Sequence, residues 1–141
     1  MNLKRVETFE SLLSLLPMLA QLHSELDGFW EPDLTREEFV AELTNKFNSS
    51  NFFFADVEDG KLIYFVVMLR DTNERCFFWL FYMNKDHRHL TRDLLTQLKQ
   101  LVKNLGFLVC DFSTTRLTKS YDRWVRKFGA QPHTLNYRIL L

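Results

Sequence analysis

Glycine and proline are scarce in this chain, at four and three residues in 141, and there are only two cysteines. Two cysteines cannot build the disulfide framework of a small secreted domain. At this length none is needed, because a folded chain of this size buries roughly two thirds of the surface it exposes when unfolded. No low-complexity segment, Walker loop or dinucleotide fingerprint can be found among so few glycines. Missing too are a signal-peptide pattern and any apolar run of membrane-spanning length, so the sequence reads as a soluble, cytoplasmic protein. Net charge is zero, with 18 basic and 18 acidic side chains, which weakens the case for nucleic acid as a partner.

What is present is a core. Apolar residues make up 46% of the chain, fourteen of them phenylalanine, as expected for one packed domain spanning residues 1–141. Runs such as Phe52-Phe53-Phe54 and Phe77-Phe78-Trp79 read as strands buried on both faces. Cys76 and Cys110 stand among aliphatic and aromatic neighbours and read as small buried hydrophobes. Charge is segregated along the chain: Met1 to Arg70 carries 6 basic and 12 acidic residues, and Asp71 to Leu141 carries 12 and 6. Opposite faces of one compact domain account for that split, and the second half can offer a positive surface to an anion.

Hydrophobic periodicity orders the elements. Leu3 to Val6 alternates as a short strand, and Thr8 caps a leucine-rich helix running to about Leu26, which Pro17 is expected to kink or split. Gly28 and Pro32 break the chain before a second helix, which opens on the capping box Thr35-Arg36-Glu37-Glu38 and reaches Phe47. Strands follow over Phe52–Val57 and Leu62–Leu69, joined by Glu58-Asp59-Gly60, whose Asp-Gly pair is a strong hairpin signal. The third strand of this antiparallel set covers Cys76–Met83. A helix with one apolar face follows, Leu90 to Leu105, stopped by Gly106. Phe107–Phe112 reads as a buried strand reached by a parallel crossover. Tyr121, Trp124, Val125 and Phe128 form the face of a last helix ended by Gly129 and Pro132, and Leu135–Leu141 forms the last strand.

This order of strand, two helices, three antiparallel strands, helix, strand, helix and strand describes a mixed α/β (α+β) domain, and over the whole chain it resembles the GNAT superfamily of acetyl-CoA-dependent N-acetyltransferases. Leu94-Leu95 through Leu105-Gly106-Phe107 is similar to the family's third helix, with a paired leucine near its start and Leu-Gly-Phe at its end. Lys127-Phe128-Gly129-Ala130 is similar to the closure of its last helix. The resemblance implies acetyl-CoA as cofactor, a small-molecule or peptide amine as substrate, and a cofactor site at the end of the third antiparallel strand and the start of the next helix. There Phe81, Tyr82 and Met83 would pair with the pantetheine arm. Arg88, His89, Leu90, Thr91 and Arg92 would surround the pyrophosphate, since helix N-termini favour anions.

The sequence departs from the family pattern at the positions that carry the chemistry. Where the family has Arg or Gln, two residues, Gly, one residue, then Gly or Ala, this chain has Asp86, His89 and Thr91. A shifted alignment puts Arg88 first but leaves Thr91 and Asp93 in place of the glycines. Val125 occupies the position of the family's acidic tyrosine, leaving Tyr121, one helical turn earlier, as the fallback proton donor. Glu74 and Asp111 are candidate bases. Catalysis is therefore expected to be weakened or lost. Short, glycine-poor GNAT-like proteins of tailed phages, including internal virion proteins, look similar, which implies an alternative role as a non-catalytic assembly protein of a phage particle, with a protein partner and a place in the virion.

A third reading, a nucleic-acid-binding module, rests on Arg116, Lys119, Arg123, Arg126 and Lys127 along one helix. His87 and His89 flank Arg88 but lack a third ligand, so no metal is expected. No nucleophilic triad can be assembled from the serines or cysteines.

Overall fold

A computed structural model describes residues 2–25, 34–112, 123, 126–127, 129–133 and 136–141. Its helices are α1 (Phe9–Glu25), α2 (Arg36–Lys46) and α3 (Thr91–Asn104). Its strands are β1 (Phe52–Glu58), β2 (Lys61–Arg70), β3 (Arg75–Met83), β4 (Val109–Phe112), β5 (Ala130–His133) and β6 (Asn136–Leu140). The strands form one mixed sheet in the order β1-β2-β3-β4-β6-β5. Every pairing is antiparallel except that of β3 with β4, which is parallel and is bridged by the crossover through α3.

Alternation along β1 and β2 fixes the layering, since successive side chains point to opposite faces. Phe53, Phe65 and Val67 meet Leu12, Leu15 and Leu19 of α1 and Phe39 and Leu43 of α2 on one face. Phe54, Tyr64, Val66 and Met68 meet Leu94, Leu98 and Val102 of α3 on the other. The run Phe52-Phe53-Phe54 is buried throughout, whereas Phe77-Phe78-Trp79 is half-buried. Asp59 and Gly60 join β1 to β2 with φ of 52° and 74°, the paired positive values that a tight two-residue hairpin requires.

Four expectations about the elements are corrected. Leu3 to Val6 makes one bridge, Arg5 to Phe54, instead of a strand. The Val6 amide and Lys4 carbonyl bond to Phe53 and Ala55 of β1 at 2.7 and 3.1 Å, while the Leu3 and Lys4 amides donate to Gln97 Oε1 and Tyr64 Oη, each at 3.0 Å.

Pro17 does not split α1, which runs for 17 residues. The proline is exposed, so the carbonyl it leaves without a donor belongs to the solvent side, while Leu12, Leu15 and Leu19 hold the buried side. A 3₁₀ turn, Lys85–Leu90, intervenes before α3.

The expected last strand is present as β6, and it is paired in a hairpin with β5, Ala130–His133, where the sequence suggested only the end of a helix. Pro132 falls inside β5, an edge strand, where a missing ladder donor is tolerated. Within the expected last helix, Arg123, Arg126 and Lys127 are helical and exposed. Tyr121, Trp124, Val125 and Phe128 lie outside the described residues, as do Arg116 and Lys119 of the basic stretch. Among the described residues no helix is long and apolar enough to cross a membrane.

Candidate functional site

The register of the β3–β4 ladder runs from Arg75 opposite Val109 to Phe78 opposite Phe112. The described part of β4 stops at Phe112, and β3 continues to Met83 on its pairing with β2. The five residues from Trp79 to Met83 extend about 16 Å at the rise of a β-strand. Phe81 and Met83 pack toward α3, and Trp79 and Tyr82 pack toward α1 and α2. The expected pantetheine-binding residues Phe81, Tyr82 and Met83 thus lie at the end of β3, opposite Val66, Phe65 and Tyr64 of β2.

Asn84 closes β3. Its amide donates to the Ile63 carbonyl at 2.8 Å, and its side-chain NH₂ donates to the Leu62 carbonyl at 3.2 Å. Asn84 Oδ1 accepts from the Asp86 amide at 2.9 Å, and the Asn84 carbonyl accepts from the His87 amide at 2.9 Å. One side chain therefore ties the strand end to β2 and caps the 3₁₀ turn. Sequence reasoning passed over this residue, although asparagine is a preferred cap immediately before a helical segment.

The turn holds the expected anion-binding residues together. Arg88, His89 and Arg92 are exposed, and Leu90 and Thr91 are half-buried. The turn passes into α3 without a break: Leu90 has helical angles and gives no side-chain cap, and the Thr91 amide donates to the Arg88 carbonyl. The Thr91 amide is thereby used inside the protein, so the side chains of Arg88 and Arg92 are the principal positive groups at this end of α3.

His87, which sequence reasoning considered only as a metal ligand, has a structural part here. Its Nε2 stands 3.4 Å from Glu58 Oε2, linking the turn to the β1–β2 hairpin. Its Nδ1 is buried without a hydrogen-bond partner among the described residues. No group of three or more His, Cys, Asp or Glu among the described residues is placed to hold a metal ion.

The base candidates are not brought to this end of β3. Glu74 precedes the strand, about 30 Å from Met83 at β-strand rise, and its carbonyl accepts from the amides of Leu108 and Val109 at 2.8 and 3.1 Å. Asp111 is bound on both oxygens by Arg138, with Nε–Oδ1 at 2.7 Å and Nη2–Oδ2 at 3.0 Å. That bidentate bond raises the pKa of Arg138 and commits the carboxylate to bracing β4 against β6. Tyr121 lies outside the described residues.

Neither a family model nor a curated protein sequence matches the chain. Solved structures do. An acetyltransferase from Streptococcus agalactiae 2603 superposes with a TM-score of 0.72 at 16% identity, covering 99% of this chain and 98% of that one. A GNAT-family acetyltransferase from Staphylococcus aureus Mu50 gives 0.72 at 12% identity with the same coverage. The PaiA N-acetyltransferase from Thermoplasma acidophilum, solved with coenzyme A, gives 0.66 at 17% identity over all of both chains. The architecture described above, from the two helices packed over β1 to the parallel pairing of β3 with β4 through α3, is the fold of these GNAT acetyltransferases.

Proposed function

We propose that this protein binds an acyl-CoA at the end of β3 and the start of α3 and transfers the acyl group to an amine slowly or not at all. The observation that supports it most directly is the crossover: β3, paired in parallel with β4 from Arg75 to Phe78, ends at Met83 just before a turn and helix start that carry the exposed Arg88 and Arg92. The pantetheine arm would follow Phe81, Tyr82 and Met83, and the pyrophosphate would lie by Arg88, His89, Leu90, Thr91 and Arg92. Side-chain cations hold phosphates less closely than glycine-flanked amides do, so affinity is expected to be modest and sensitive to salt.

Transfer would require the amine to lose a proton as it attacks the thioester carbon, and the departing thiolate to gain one as the C–S bond breaks. Asp111 is engaged by Arg138 and Glu74 precedes β3, which makes neither a ready base, and Val125 cannot serve as the acid. Tyr121 remains the candidate donor.

The test is calorimetric titration with coenzyme A and acetyl-CoA, together with mass spectrometry of a panel of small and peptide amines. Binding that weakens about tenfold in the double variant Arg88→Gln, Arg92→Gln supports the reading, at about 1.4 kcal/mol. No heat and no thermal stabilisation at millimolar cofactor would overturn it.

A second reading, a non-catalytic assembly protein, is favoured by the exposure of Leu108 and Leu140, at 54% and 61%, on neighbouring ends of β4 and β6. It expects a stoichiometric protein partner covering those leucines in the native source, and recovery of a solitary monomer counts against it.

A further inference from the structure

The N-terminal segment is pinned on both sides. The Leu3 amide bonds to Gln97 of α3, and the Val6 amide donates to the Phe53 carbonyl of β1 at 2.7 Å. Between these anchors lies a cleft of about 230 Å³ lined by Leu3, Arg5, Phe52, Phe54, Leu101 and Leu105. Phe52 and Phe54 are buried and form the floor, while Leu105 is 43% exposed at the mouth. Five of the six lining residues are apolar and the sixth is a cation.

A second cation shares the Phe52 ring with the first. Arg5 Cζ lies 4.5 Å from the centroid of Phe52, and Arg70 Cζ lies 5.9 Å from the same centroid and 4.7 Å from that of Phe107. Among the described residues neither guanidinium has a carboxylate partner, whereas Lys4, Lys46, Arg75 and Arg138 each have one. Stacking occupies the face of a guanidinium and leaves its edge N–H groups available for the fork geometry that suits a carboxylate. Two like charges gathered at one ring without a counter-ion, beside an apolar cleft, complement a ligand with one anionic head and an apolar body.

We propose that this cleft binds a straight-chain aliphatic monocarboxylate, its chain along Phe54, Leu101 and Leu105 and its carboxylate on Arg5, with Arg70 adding charge from behind Phe52. The volume takes about eight groups of methylene or water size at roughly 30 Å³ each. The site lies at the last turn of α3, about 20 Å along the helix from the turn after β3, so it is separate from the acyl-CoA reading and stands or falls independently of it.

Titration of the ¹⁵N-labelled full chain with sodium octanoate, followed by amide NMR shifts, tests the proposal. Saturable shifts at Leu3, Arg5, Leu101 and Leu105 are expected, with 1-octanol and acetate each binding at least about tenfold more weakly. Arg5→Gln and Arg70→Gln replace side chains outside the core, and each should weaken octanoate about tenfold while the rest of the spectrum is retained. Equal affinity for octanol, unchanged affinity in both variants, or shifts confined to other surfaces would overturn the proposal. So would tighter binding of a capped leucine dipeptide, which would assign the cleft to a peptide terminus.

Discussion

Cys76 and Cys110 occupy the same position in the parallel ladder, both buried. The hydrogen bond that the Cys110 thiol donates to Cys76, together with burial, pushes that thiol above its ordinary value near 9.0. The sign of the pH effect follows: above about pH 9 the unfolded chain releases a proton that the folded chain keeps, so stability falls as pH rises. The slope is about 1.4 kcal/mol per pH unit. Denaturant unfolding between pH 8 and 11 should show this slope reduced in Cys110→Ala, whatever that variant costs in packing. Both thiols should resist alkylation at pH 8 until the protein is unfolded. Asp111→Ala should lower the unfolding temperature more than Lys4→Ala, because the Arg138 pair is largely shielded from water whereas Lys4–Asp56 has an exposed lysine. A comparison of thermal melts at low and high salt decides it.

At the scale of elements, α3 shows how far local chemistry reaches. Its end is a Schellman motif: the Phe107 amide donates to the Val102 carbonyl at 3.2 Å, the Gly106 amide donates to Lys103 at 3.1 Å, and Gly106 has φ of 92°. Gly106→Ala should cost about 1 kcal/mol in urea unfolding, through strain at positive φ alone, since an added Cβ would meet nothing within 4 Å.

That stop was legible because glycine after a periodic apolar run has few other uses, and the capping box at Thr35 and the Asp59-Gly60 hairpin were legible for the same reason. Pro17 misled because its local penalty was outweighed by the leucines buried beneath the same helix. Pro17→Ala should therefore raise stability by about 1–3 kcal/mol without lengthening or shortening α1, measured by urea unfolding and helical circular dichroism. Leu3 to Val6 does meet β1 through backbone bonds, but it stops at a single bridge because the Leu3 and Lys4 amides go to the Gln97 and Tyr64 side chains.

For the molecule as a whole, the sequence by itself determined that helices and strands would follow a mixed α/β order, that Phe52 to Phe54 would be buried, and that Leu94, Leu98 and Val102 would form the buried face of one helix. Those outcomes depend on periodicity and apolar content, which are properties of neighbours along the chain. Only the tertiary structure decided the register in which β3 meets β4, that Asn84 closes the strand and caps the following turn, and that Asp111 is held by a residue 27 positions away. Strand registry and ion pairing depend on which distant groups come within a few ångströms, and a one-residue shift would change every partner. The gathering of Arg5 and Arg70 at Phe52 belongs to the same class: no local pattern announces it, because it exists only after the N-terminal segment, β1, β2 and α3 have packed.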